Sequence, residues 1–191
     1  MFRDRVDAGL QLAGRLLVYA DEDPLIFGLP RTTSQPELAL GAVTDGDRPQ
    51  VTLNQHLIDA LGVEEEYLET EAQRQLAEVH RRIETYRRGR PAADARERTA
   101  IIIDDGIATG ATVQAGILGV RRTEPRRIIL AVPVAAPDAV ERLEAHVDEV
   151  VCLHAPEDFM AVGLFYQSFT QTSDEEVMQL LDRFQEEEEK R

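Results

Sequence analysis

Apolar residues in this chain follow two rhythms. From Thr99 to Leu153, short continuous apolar runs alternate with segments whose apolar residues recur every three or four positions. Thr99 to Ile103, Ile128 to Pro133 and Glu149 to Leu153 are runs of the first kind, as in parallel strands covered on both faces. Thr112 to Arg122 and Pro137 to Ala145 lie between them with helical spacing. Strand and helix in alternation predict an α/β fold around a parallel sheet. The first half is less regular. Val6 to Tyr19 predicts an amphipathic helix with Val6, Leu10, Ala13, Leu16 and Leu17 on its inward face. A strand is expected at Leu25 to Gly28, after Pro24. Strand and helix signals compete over Leu38 to Val43, and a short strand and helix follow at Val51 to Leu53 and Gln55 to Leu61. Glu64 to Arg88 reads as a long polar helix with Tyr67, Ala72, Leu76, Val79 and Ile83 as its seam. A final helix spans Asp174 to Glu188, capped by Ser173 or Asp174. With no internal repeat or low-complexity linker, residues 1–191 read as one domain carrying a helical insertion at about 64–91.

The densest chemistry follows the run Ile101-Ile102-Ile103. Asp104 and Asp105 come next, then Gly106, Ile107, Ala108, Thr109, Gly110, Ala111 and Thr112, and then a helix. Ligands of open α/β sheets sit beyond the carboxyl ends of the strands, where this acidic pair falls. Two carboxylates are good acceptors for a vicinal diol and can hold a magnesium ion through its waters. The small residues after them let a ligand approach the backbone. Free N–H groups and the dipole at the start of the helix suit an anion. The string lacks the Gly-Lys-Ser/Thr ending of a P-loop and the Gly-x-Gly-x-x-Gly of a dinucleotide site. An Asp-Asp-Gly turn after a strand is commonplace alone; the twelve-residue string is not.

That string closely resembles the PRPP-binding motif of type I phosphoribosyltransferases. Flanking segments resemble one subgroup of uncharacterised bacterial members: Phe2-Arg3-Asp4-Arg5 with Ala8-Gly9, Gly28-Leu29-Pro30-Arg31, Pro36 to Val43, Phe159, Ala161-Val162-Gly163 and Phe169. The resemblance implies a Rossmann-like core with a small hood, PRPP as donor and Mg2+ as cofactor. It implies that Asp104 and Asp105 bind the ribose hydroxyls as catalytic residues and touch the metal through water or substrate. It assigns PRPP binding to Asp104 through Thr112, with Ala108 to Thr112 cradling the 5′-phosphate. Transfer of ribose 5-phosphate to a nitrogen acceptor would release pyrophosphate. In related enzymes the position of residues 64–91 holds a loop that closes over substrate; here it is either such a lid or a packing or dimer surface.

The sequence departs from this pattern at one place. After Gly-Leu-Pro-Arg the family continues through a Gly-Gly turn, a helix, a strand and an Arg-Lys segment. Here Pro30-Arg31 is followed at once by Thr32-Thr33-Ser34-Gln35-Pro36, and by the family template roughly thirty residues are absent. Either a segment has been left out, which is the favoured expectation, or the protein is truly shortened and its pyrophosphate loop is mostly gone. The second case points to a PRPP- or nucleotide-binding regulatory protein with weak or no catalysis. Pro30 and Arg31 are the pyrophosphate-binding candidates, Arg31 as a planar donor.

Acceptor recognition is less marked. Phe165, Tyr166 and Phe169 cluster in a chain with few aromatics; they offer a face for a nucleobase or pack the last helix onto the core. His154 and Asp158, near the end of the last strand, are further candidates. The net charge of −15 argues against a nucleic-acid partner. No apolar run reaches the length of a membrane span. The single cysteine, Cys152, excludes an internal disulfide framework and is expected to be buried. These features fit a cytoplasmic protein. A PRPP donor, a small-molecule acceptor and a second copy of the chain, as a homodimer, are the expected partners.

Overall fold

The computed structural model of the chain describes residues 1–29, 41–44, 50–53, 94–170 and 172–188, with scattered positions between 70 and 88. Its centre is a four-stranded sheet in which all neighbours run parallel. The strands are β1 (Leu25–Gly28), β4 (Thr99–Ile103), β5 (Arg127–Val134) and β6 (Glu149–His154), in the order β1-β4-β5-β6. Strands β2 (Gly41–Thr44) and β3 (Gln50–Leu53) form a separate antiparallel pair. The helices that accompany the strands include α1 (Arg5–Leu16), α2 (Ala111–Arg121), α3 (Pro137–Glu144) and α4 (Asp174–Glu188). The α/β architecture expected from the sequence is the one observed.

Successive residues of a strand point to opposite faces, and in β4 both faces are covered. Ala100 and Ile102 join Leu130 and Val132 beneath Val113, Ile117 and Val120 of α2 and Ala139 and Leu143 of α3. On the other face Ile101 joins Ile129, Ala131 and Val151 beneath Leu12 of α1 and the following Tyr19. Continuous apolar runs are the consequence. Cys152 is half-buried and not fully buried as expected; it packs on the α2–α3 side, where burial pushes its thiol pKa up.

The first helix corrects the sequence reading. Asp4 caps α1 by accepting from the Asp7 amide at 2.8 Å. Its buried residues are Ala8 and Leu12, whereas Val6, Leu10 and Leu17 are 69%, 66% and 71% exposed. Two apolar stripes run along this helix, and periodicity does not say which one the sheet takes. The regular helix ends at Leu16 and a 3-10 helix, Leu17–Glu22, leads to β1.

Strand β1 has no hydrogen-bonded neighbour on its outer side among the described residues. Ile26, in register with Ile101 and so on the α1 face, is 53% exposed. The full 191-residue sequence joins Pro30 directly to Arg31. The expected omission after Pro30 falls on residues outside the described ones. Residues 30–40 lie outside the described residues, as do the expected helix at 55–61 and the seam residues Tyr67, Ala72, Leu76, Val79 and Ile83. The described positions from 70 to 86 are helical. Arg81 and Tyr86 both bond to Asp174 of α4, and Arg88 pairs with Asp182. Ser173 is the cap of α4, in a capping box where Glu176 N–H donates to Ser173 Oγ and Ser173 N–H to Glu176 Oε2.

At the amino end of the sheet, Glu22 accepts from Thr99 Oγ1 and pairs with Arg126 and Arg127. Tyr19 donates its hydroxyl to Glu149. Acidic and basic groups are thus engaged with one another at this end, and the opposite end holds the site. None of the described helices is long and apolar enough to cross a membrane.

Candidate functional site

Strand β4 delivers Asp104 and Asp105 to the carboxyl edge of the sheet. Asp104 turns back on the chain, its Oδ1 accepting from the Asp105 amide at 2.8 Å. Gly106 follows in a place where no side chain fits. A Cβ there would lie 2.5 Å from Val162 Cγ1 and 3.0 Å from Val134 Cγ1. Ile107 is 2% exposed and is stitched to the end of β5. Its N–H donates to the Val134 carbonyl, and its own carbonyl accepts from Ala136, each at 2.9 Å. Its side chain and amide therefore anchor the loop to the sheet.

The loop then rises through Ala108 and Thr109, both exposed, to Gly110. Gly110 caps α2 in the left-handed conformation, φ +78°, which glycine alone adopts without strain. Helix α2 begins at Ala111, slightly before the position the sequence suggested, so the first amides of the helix belong to the loop itself. The N-terminal dipole and these amides make the segment Ala108 to Thr112 suited to an anion. Arg142 of α3 stands beside it, donating to the Thr109 carbonyl at 3.4 Å and pairing with Asp138 at 2.9 Å. That pairing holds the Asp138 carboxyl below its usual pKa. Thr109, Gly110, Gln114, Arg142, Leu143 and His146 line a cleft of about 150 Å³.

On the other side of the acidic pair the two ends of the chain converge. Arg5 Nε donates to Asp105 Oδ2 at 2.8 Å, and its guanidinium carbon lies 3.8 Å from the centre of the Phe169 ring. Tyr166 donates its hydroxyl to the Asp105 carbonyl. Tyr166 is buried within Phe2, Ala8, Val134 and Val162, with Phe169 at 4.8 Å. Phe165 is half-buried and stacks on Phe159 at 5.6 Å. The His154 ring lies against Phe2 at 5.5 Å, and Asp158 is exposed.

A strand ending in two carboxylates, a glycine-capped helix start and a pinned loop between them puts hydrogen-bond acceptors beside a set of free amide donors. The match to the phosphoribosyl transferase domain covers residues 51–167, more than half the chain and all of this arrangement. The chain belongs to the phosphoribosyl transferase family. It is 39% identical to two Mycobacterium tuberculosis proteins provisionally named phosphoribosyl transferases, Rv0571c of strain H37Rv and MT0597 of strain CDC 1551, over 96% of its length. It spans about half the length of these relatives, 47%. It is also similar to the crystal structure of TT1426 from Thermus thermophilus, with 36% identity and a TM-score of 0.69 over 94% of this chain and 97% of that one. The parallel sheet with flanking helices is the type I phosphoribosyltransferase fold expected from the motif.

These relatives bear on the shortening. The alignment with the mycobacterial proteins runs over 210 positions but draws on 96% of 191 residues, about 183, so roughly 27 positions have no counterpart here. Pro30 and Arg31, the pyrophosphate candidates, lie outside the described residues. Sequence reasoning missed Arg5 and Arg142. Arg5 is 100 residues from its carboxylate partner; the resemblance around Phe2-Arg3-Asp4-Arg5 was the only hint that this segment mattered.

Proposed function

We propose that the chain binds PRPP at the carboxyl end of β4 and transfers its ribose 5-phosphate to a nitrogen acceptor, releasing pyrophosphate. The observation that carries this reading is the Asp104–Thr112 segment, with diol acceptors and anion donors on one rigid, anchored loop. Asp104 and Asp105 would accept from the ribose 2′ and 3′ hydroxyls. The amides and hydroxyls of Ala108, Thr109, Gly110, Ala111 and Thr112 would hold the 5′-phosphate. Gly106 and Ile107 would serve by seating the loop. Such a reaction passes through a dissociating ribosyl cation, so orientation and electrostatics account for most of the acceleration.

Magnesium fits this site as a substrate-borne ion. No group of three or more metal-ligating side chains occurs among the described residues, and an ion bound largely by water and phosphate needs no such cage. Asp104 and Asp105 would hold it through water or substrate, and when bound it would neutralise charge on the departing pyrophosphate. Phe165 and Tyr166 remain our candidates for the acceptor. Phe165 has a partly open ring, and Tyr166 would act from beneath through its contact with Asp105. Pro30 and Arg31 are assigned to pyrophosphate on the resemblance alone. A homodimer is part of the proposal, supported by the exposed Val6, Leu10 and Leu17 on and after α1. A cytoplasmic setting, where a lone thiol stays reduced, also belongs to it.

One observation favours a second reading. The break after Pro30 and the roughly 27 unmatched positions fall together if the pyrophosphate loop is shortened. A chain with the sugar-phosphate site but little of that loop would bind PRPP or a nucleotide without efficient transfer. Incubation with PRPP, Mg2+ and a panel of nucleobases separates the two. Acceptor-dependent pyrophosphate release with a new N-ribosyl product supports transfer. PRPP binding without either product supports the regulatory reading.

A further inference from the structure

We infer that Arg5 is a positioning residue for Asp105, holding its carboxylate in one orientation from the far end of the chain. This rests on the PRPP reading of the site. Arg5 lies in the first turn of α1, where the helix dipole disfavours a cation. Its placement there is therefore not explained by the helix. What it gains is three contacts on different sides of one guanidinium. Nε donates to Asp105 Oδ2 at 2.8 Å, Nη1 donates to the Thr170 carbonyl, and the ring of Phe169 lies 3.8 Å from Cζ. The planar fork is thus fixed against rotation, and Phe169 contributes a cation–π face. The Arg5 and Asp105 side chains are only 21% and 15% exposed, which shields the pair from solvent.

The backbone that carries Arg5 is itself held. Phe2 N–H donates to Phe165 O at 2.7 Å, Gln167 N–H to Phe2 O at 2.8 Å, and Ser168 N–H to Arg3 O at 2.9 Å. The segment zipped to the N-terminus in this way also supplies Tyr166, whose hydroxyl binds the Asp105 carbonyl. Asp105 is gripped at its carboxylate by Arg5 of the amino-terminal segment and at its carbonyl by Tyr166. An acceptor already held in one orientation loses less freedom when a diol binds.

The test is a cycle of Arg5→Met, Asp105→Asn and the double variant, with Arg5→Lys and Phe169→Leu beside it. PRPP affinity in Mg2+ is read by calorimetry, and thermal unfolding is read without ligand. Arg5→Met is expected to weaken PRPP binding about tenfold in the wild-type background, the scale of one charged hydrogen bond. In the Asp105→Asn background it should change affinity by less than about twofold, because its effect runs through that carboxylate. Arg5→Lys should recover part of the loss, and Phe169→Leu should weaken binding without touching either charge. Equal losses in both backgrounds would mean a merely structural role and overturn the inference, as would wild-type affinity in Arg5→Met. Should Arg5→Met fail to fold, Phe169→Leu decides, and unchanged affinity there counts against it. If the wild type itself does not bind PRPP, the PRPP reading falls and this role with it. Non-additive unfolding shifts in the ligand-free cycle would then still show the ion pair. Wild-type binding with an indifferent Arg5 removes the inference alone.

Discussion

Replacing Gly106 with alanine would place a methyl group where the structure has no room. The added Cβ would lie 2.5 Å from Val162 Cγ1 and 3.0 Å from Val134 Cγ1. Both valines are buried, at 8% and 0% exposure, so neither can swing into solvent. Overpacking of this kind costs about 1–3 kcal/mol. For a chain of this length each kcal/mol lowers Tm by roughly 2–4 °C, so Gly106→Ala should lower it by about 2–12 °C. The structure also says which contact is worse. Val162→Ala removes the 2.5 Å overlap and leaves the one at 3.0 Å. In the Gly106→Ala background that second substitution should therefore cost at least about 1 kcal/mol less than it does alone. Differential scanning calorimetry of the two single variants and the double variant measures this directly. PRPP affinity should fall in Gly106→Ala and partly return in the double variant, because the misplaced loop is what the ligand reads. An unchanged Tm in Gly106→Ala, or strictly additive losses, would refute the packing argument.

A crystal soaked in sulfate should show the anion against Ala108 to Thr112, and a bulky residue at Thr109 or Gly110 should abolish it; an anion bound only elsewhere would contradict the phosphate assignment. Glu22 has its carboxyl pKa lowered, first by the Thr99 hydroxyl and then by Arg127 and Arg126. A lowered folded-state pKa gives stability that is present above the ordinary carboxylate range and lost as pH falls through the folded value. The Tm gap between wild type and Glu22→Gln should accordingly close in acid, and a gap independent of pH would count against this network. Tyr19 is pushed up to about 12 by burial and by Glu149. Its raised value gives stability that is present below about pH 10 and lost as pH rises toward 12. The fall of Tm with alkaline pH should therefore be shallower in Tyr19→Phe, and parallel curves for the two proteins would count against it.

The parts of the fold that could be read in advance are those where local pattern and burial coincide. In β4 to β6 both faces are covered, so continuous apolar runs marked the strands within a residue or two. The acidic pair and glycine loop were legible because their chemistry is written in consecutive residues. Helix α1 was found, but its buried face was not. Ala8 and Leu12 compete with Val6, Leu10 and Leu17, and only the position of the sheet decides. Arg5 and Arg142 were invisible for a related reason. Their partners are Asp105 and the Thr109 carbonyl, and the first pair is 100 residues apart. The exposed Ile26 shows what pattern alone could not, that β1 stands at the margin of the sheet among the described residues.

The central claim is that Asp104 and Asp105 are the ribose-binding groups of a PRPP site. Isothermal calorimetry of PRPP with Mg2+ against the wild type and an Asp104→Asn/Asp105→Asn variant tests it most directly. Each Asn keeps the side-chain shape but replaces a charged acceptor, a change worth about 1.5–3 kcal/mol per hydrogen bond. The wild type should bind PRPP at one site per chain. The folded double variant should bind at least about a hundredfold more weakly, from the sum of two such losses. Equal affinity in wild type and folded double variant would contradict the assignment.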